Sequence, residues 1–227
     1  MVIADPRAVA AHWPDVRLRM LAELAQVVTE APWTLSRSTH QRARDAGLDD
    51  DAILHAIALS AYFGHLNRIA DAVGVPLDYQ VRNEPPHADA STPALAPAPA
   101  PLVGRGAIEL ARRPATAAAL ADWRGYIFSH DTPLSRRQRT LVARWVAVWL
   151  GDGGISPPDD LTANPLDEPL RQLAEVVTLA PWQLDDQRFA ALRAQGFADD
   201  GLFDVCATAS SAGMFSRIEV ALVALGR

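Results

Sequence analysis

Apolar residues recur along this chain at helical spacing, and the period-two alternation of a half-buried strand is absent. Leu18, Leu21, Leu24, Ala25 and Val28 mark one face of a helix predicted over Asp15–Glu30, which Ala31-Pro32-Trp33 ends because a residue before proline is pushed out of the helical region. A short helix follows over Ser36–Ala46, stopped by Gly47. Asp49 or Asp50 then caps a long apolar helix running to about Val73. The same series is predicted at Pro169–Ala180, Asp185–Gln195 and Asp199–Leu225. Between the two series, Arg105–Arg113, Ala115–Ser129 and Arg136–Leu150 read as further helices. The fold class expected is all-α.

The repetition extends to the residues themselves. LAELAQVVTEAPWTL returns as LRQLAEVVTLAPWQL, and the register then holds without a gap. Arg44 falls on Arg193, Gly47 on Gly196, Gly64 on Gly213 and Arg68 on Arg217. The match covers roughly 55 residues with roughly a third identical, more than shared helical periodicity produces. The chain is thus expected to carry two copies of a three-helix module. A first unit spans residues 1–83, an Ala/Pro-rich connector residues 84–101, and the middle helices with the second module residues 102–227. The connector, EPPHADASTPALAPAPAP, suits an extended, semi-rigid spacer. The helices Ile53–Val73 and Leu202–Leu225 are apolar on nearly all faces, which predicts burial all round, with the two modules packed on each other or on another chain.

Composition narrows the chemistry. The net charge of -6 argues against nucleic acid as the main partner. No stretch reaches the length of a membrane span, and Asp5 and Arg7 interrupt any signal-peptide core, so a cytoplasmic location is expected. All 21 basic residues are arginine, which removes Schiff-base and P-loop lysine chemistry. The single cysteine, Cys206, permits neither an internal disulfide nor a CxxC pair. No HxxxH, HxH or HExxH spacing occurs, so no metal site and no cofactor are expected. The acids Asp152, Asp159 and Asp160 lack the spacing of a calcium loop.

The run RARDAGLDDDAILHAIALSAYFGHLNRIADAVGVPLD resembles the C-terminal half of peroxidase-related proteins of the alkylhydroperoxidase D / carboxymuconolactone decarboxylase superfamily. The resemblance rests on a Gly-Leu-x-Asp helix start, the pair Tyr62-Phe63, and Asn67-Arg68 before Ile-Ala-Asp. PLSRRQRTLVARWVAVWLGDGG is similar to the segment that carries that family's catalytic helix. Redox members use a Glu, a CxxC pair and a His. On this chain the Glu position falls on Thr140, the cysteines on Asp152 and Ile155, and the His near Asp159. All four groups are missing, so the resemblance implies the fold without the dithiol peroxidase mechanism.

The most polar turn of a long helix holds Tyr62, His65 and Arg68 on one stripe. In a site, Arg68 would clamp a carboxylate, His65 would act as general acid/base and Tyr62 would donate to a developing oxyanion. Asn67 lies on the neighbouring stripe as a further binding group, and Trp145 and Trp149, one turn apart, are expected to wall an apolar pocket. In the structural alternative, Arg68 and Arg217 form equivalent ion pairs in the two modules. Trp33 and Trp182 are expected to be buried wedges at their helix turns, and Arg136, Arg137 and Arg139 a solvated helix start. The expected function is a cofactor-independent, non-redox lyase, decarboxylase or isomerase acting on a small carboxylic acid or lactone by acid/base chemistry. The alternative is a non-catalytic scaffold or small-molecule-binding protein. A monomer or homodimer is expected.

Overall fold

A computed structural model of the protein describes residues 13–75, 114–152 and 164–224. The connector at 84–101 and the helix expected over 105–113 lie outside them. The described residues form eight α-helices and no strand: α1 (Val16–Glu30), α2 (Arg37–Asp45), α3 (Asp50–Ala72), α4 (Pro114–Ser129), α5 (Arg136–Trp149), α6 (Asp167–Leu179), α7 (Asp186–Arg193) and α8 (Asp199–Ala224). The protein is all-α.

Local chemistry sets the helix starts. The side chains of Asp15, Ser36, Asp49 and Asp185 each accept from a backbone N–H of the first turn. Ser135 and Gln138 complete a reciprocal capping box at α5. The segments α1–α3 and α6–α8 run in the same order with matching turns. A short 3-10 turn follows α1 (Pro32–Thr34) and α6 (Pro181–Gln183), and Ala31 and Ala180 enter these turns with φ of -149° and -148°. Gly47 and Gly196 close α2 and α7 at φ of 86° and 89°, a region glycine enters without steric cost. An ion pair also recurs: Arg44 with Asp50 at 2.5 Å and Arg193 with Asp199 at 3.0 Å.

Among the described residues there are two hydrophobic clusters. Met20, Leu24, Val28, Ile53 and Ile57 form the first, and Met214, Ile218, Ala221 and Leu222 from α8 complete it. Val142, Val146, Leu170, Leu173 and Val177 form the second, with Leu202, Val205, Cys206 and Ala209 from the first half of α8. Helix α8 therefore crosses both cores and packs along α3.

Several details differ from the sequence pattern. Helix α8 is buried along most of its length, but α3 is not: Leu59, Tyr62, Phe63 and Leu66 are exposed on its outer side. In the APW turns the buried residues are Pro32 and Pro181, whereas Trp33 and Trp182 are 47% and 74% exposed. The 3-10 turn directs the indoles outward, and Trp33 instead rests against Gly151, where an added Cβ would come within 2.8 Å of the Trp33 Cβ. Of the arginine run at the start of α5, Arg136 and Arg137 are exposed as expected, and Arg139 is not. Arg139 is 3% exposed. It pairs with Asp204 and donates to the carbonyls of Leu134, Ile127 and Thr132. Arg137 makes a two-pronged pair with the buried Asp167 at 2.9 and 2.6 Å.

Candidate ligand cleft

Helices α3, α4 and α8 enclose a cleft of about 600 Å³. Leu54, Ala58, Leu59 and Tyr62 form its α3 wall, Leu120 and Trp123 its α4 wall, and Met214 and Ile218 its floor. His55, Tyr62 and Thr116 are its polar groups; among the described residues the wall holds no carboxylate and no guanidinium. Helix α4 is the loosest wall. Of its described side chains only Ile127, near the C-terminal end, is buried, while Ala115, Thr116 and Ala119 beside the cleft are exposed.

Of the residues picked out from sequence, Tyr62 lies on this wall. Its ring meets that of Trp123 edge to face at 6.2 Å, and Trp123 in turn meets the His65 ring at 4.8 Å. His65 is 3% exposed and sits behind the indole rather than on the wall. Burial holds its imidazole below the ordinary histidine range; the Ser210 backbone, accepting from the ring, pulls the other way, and the Arg68 guanidinium lowers it further. Its Nδ1 is buried without a hydrogen-bond partner.

Arg68 is turned away from the cleft. Its Nε donates to the Thr178 carbonyl at 3.1 Å and its Nη1 to the Gly64 carbonyl at 2.8 Å. No carboxylate among the described residues pairs with it or with Arg217, so the ion pairs expected in the structural alternative are carbonyl contacts instead. Burial lowers Arg68 to about 10, with Asp71 opposing. It lowers Arg217 well below its ordinary value, and the charge of Arg68 adds to that. Asn67 is exposed and lies outside the cleft wall. Trp145 is 4% exposed within the second core, and Trp149 packs against the same core. The indole facing the cleft is Trp123, one helix earlier than the pair singled out by spacing. The signal available for it was its place on a helix whose apolar residues lack a clear stripe.

His40, Thr140, Asp152 and Cys206 do not line this cleft. His40 contacts Asp50 at 3.2 Å and accepts from Arg44 Nε at 3.3 Å, so its ring supports the recurring Arg44–Asp50 pair. At the matching place Phe189 lies under the Arg193 guanidinium at 5.7 Å. Cys206 is 2% exposed, and burial pushes its thiol up to about 12. Thr140 and Asp152, the described ones among the positions that the sequence resemblance set against redox residues, line a smaller cleft of about 260 Å³ with Arg124, Arg144, Ser216 and Glu219. Among the described residues no group of three or more His, Cys, Asp or Glu is placed to hold a metal ion, and no helix is long and apolar enough to cross a membrane. No protein-family model, no curated protein and no solved structure matches the chain.

Proposed function

We propose that this protein binds a small, mainly apolar molecule in the α3–α4–α8 cleft, on an alkylhydroperoxidase D-like framework without dithiol chemistry. One observation carries the reading: the cleft is walled by aliphatic and aromatic side chains with a few polar groups and no fixed charge, the usual composition of a small-molecule site. Arg68 is engaged with two backbone carbonyls, so a carboxylate clamp at this turn has no free guanidinium face to use. A neutral occupant suits the wall better than a carboxylic acid.

The neutral fluorophore N-phenyl-1-naphthylamine tests this. It is expected to saturate at one molecule per chain and to quench tryptophan emission through Trp123. Ala119→Trp, which fills the cleft from α4, is expected to weaken binding by about tenfold, or about 1.4 kcal/mol. Absence of saturable binding, or equal binding by the variant, overturns the reading.

A catalytic role for the same cleft is favoured by one observation: Tyr62 and His55 both line it. They are the groups available there for acid/base work on a lactone or other neutral substrate. Turnover of a neutral lactone lost in both Tyr62→Phe and His55→Gln supports this role; binding without turnover leaves the protein a carrier.

A further inference from the structure

His65 is a buried residue with an unmet bonding requirement. It is 3% exposed, yet its Nδ1 has no hydrogen-bond partner. A neutral ring has one donor and one acceptor nitrogen, and a hydroxyl, which both donates and accepts, meets either. Leaving such a buried polar atom unmet is costly. The second module has Met214 at the equivalent place, so the common framework does not require a polar group there.

Trp123 connects this residue with the cleft. The indole borders the cleft and also meets the imidazole edge to face at 4.8 Å. It belongs to α4, whose described side chains are buried only at Ile127. Segments with few buried apolar contacts open at low free-energy cost. Displacement of the Trp123 indole is therefore the step that would open the His65 ring to the cleft.

Resting on the proposed binding function, we infer that His65 is the polar end of the cleft. Its Nδ1 makes a hydrogen bond with the hydroxyl of an alcohol or phenol whose apolar body lies among Leu54, Leu59, Leu120 and Ile218. A carboxylate is disfavoured because it brings a charge to a wall that holds no guanidinium among the described residues. The bond forms only with the occupant in place, so it contributes selectivity among apolar ligands.

Three probes of similar bulk separate the outcomes: 4-butylphenol, butylbenzene and 4-butylbenzoate. In the wild-type chain 4-butylphenol is expected to bind about threefold to tenfold more tightly than butylbenzene, the value of one neutral hydrogen bond, and 4-butylbenzoate more weakly than either. His65→Phe is expected to keep butylbenzene binding and lose the phenol preference. Because this substitution also changes the packing around the ring, nitrogen NMR of the wild type supplies an independent readout. The Nδ1 resonance of the histidine that stays neutral to the lowest pH should move on adding 4-butylphenol and stay in place with butylbenzene. If butylbenzene binds and the phenol binds no better, or the preference survives in His65→Phe, or Nδ1 does not respond, the inference is overturned while the binding function stands. If no probe binds, both fall.

Discussion

Arg68 and Arg217 hold each other's modules. Arg68 on α3 donates from Nε to the carbonyl of Thr178 at the end of α6, and Arg217 on α8 donates from Nε to the carbonyl of Thr29 at the end of α1, both at 3.1 Å. Each also turns back to the carbonyl four residues earlier, Gly64 or Gly213, and Arg217 adds a second donor to Thr178. The carbonyls of a helix's last turn lack partners within the helix, and a cation there also favours the negative end of its dipole. Glycine makes the geometry possible: a Cβ at Gly213 would lie 2.8 Å from Arg217 Nη1, and one at Gly64 3.0 Å from Arg68 Nη1.

Arg217→Met is expected to destabilise the protein more than Arg68→Met, because three carbonyl contacts are lost instead of two. Urea unfolding should place both losses at about 1–3 kcal/mol or above, the cost of leaving buried acceptors unmet. Lysine at either position is expected to recover little, since one ammonium cannot reproduce the guanidinium fork. Equal stability of Arg217→Met and wild type would remove the clasp from the account of the fold.

The buried imidazole of His65 gives an acid-side prediction. Its folded-state pKa is depressed, while in the unfolded chain it takes up a proton near 6.5. The stability it confers is therefore fully present above pH 6.5 and is lost as pH falls from there toward and through the lower folded-state value. Stability measured from about pH 7 to about pH 4.5 should fall less steeply in His65→Gln than in wild type. Parallel slopes would mean that the ring titrates alike in both states.

Cys206 should be inert in the native protein. With its thiol pushed up to about 12 and 2% exposed, it offers almost no thiolate near neutral pH. Ellman's reagent is expected to label it only on unfolding, and Cys206→Ser should match wild type in any peroxide assay. Rapid labelling of the native chain would contradict the burial.

Gly125 lies inside α4, and a methyl group added there would meet nothing within 4 Å, so neither close approach nor a turn requires glycine. Gly125→Ala should stabilise the protein by about 0.5–1 kcal/mol through helix propensity alone. A lowered melting temperature would show that α4 depends on the freedom this glycine provides.

The helices were legible because their stop signals are chemical: Gly47 and Gly196 at positive φ, the Asp and Ser caps, and the Ala-Pro pairs. Arg68 and Arg217 were legible as a matched pair, but not their partners. Periodicity places a residue on a face without saying which carbonyl of a distant helix it meets. The same limit explains Trp145 and Trp149. Their one-turn spacing identified an apolar face, and only the packing of α5 against α6 and α8 shows that this face is core. Trp123 was hidden for the opposite reason, since α4 has no sharp apolar stripe and its role comes from the helices it lies over. Arg139 reads as a surface charge in sequence; its burial follows from Asp204, 65 positions away.

Helix α8 supplies the last wall of the first core with one half and the seam of the second with the other. A chain cut between residues 84 and 101 would leave the first fragment with Leu24, Val28 and Ile57 lacking the cover of Met214 and Ile218. It would leave the second with the Arg217 guanidinium deprived of Thr29. Neither piece is complete, and each carries the surface the other needs. Covalent continuity then acts mainly as a tether, holding the halves at an effective concentration on the order of millimolar. By the same logic the order of the halves along the polypeptide is interchangeable: a permuted chain beginning at residue 102 and rejoined through a flexible segment retains every contact that closes the two cores.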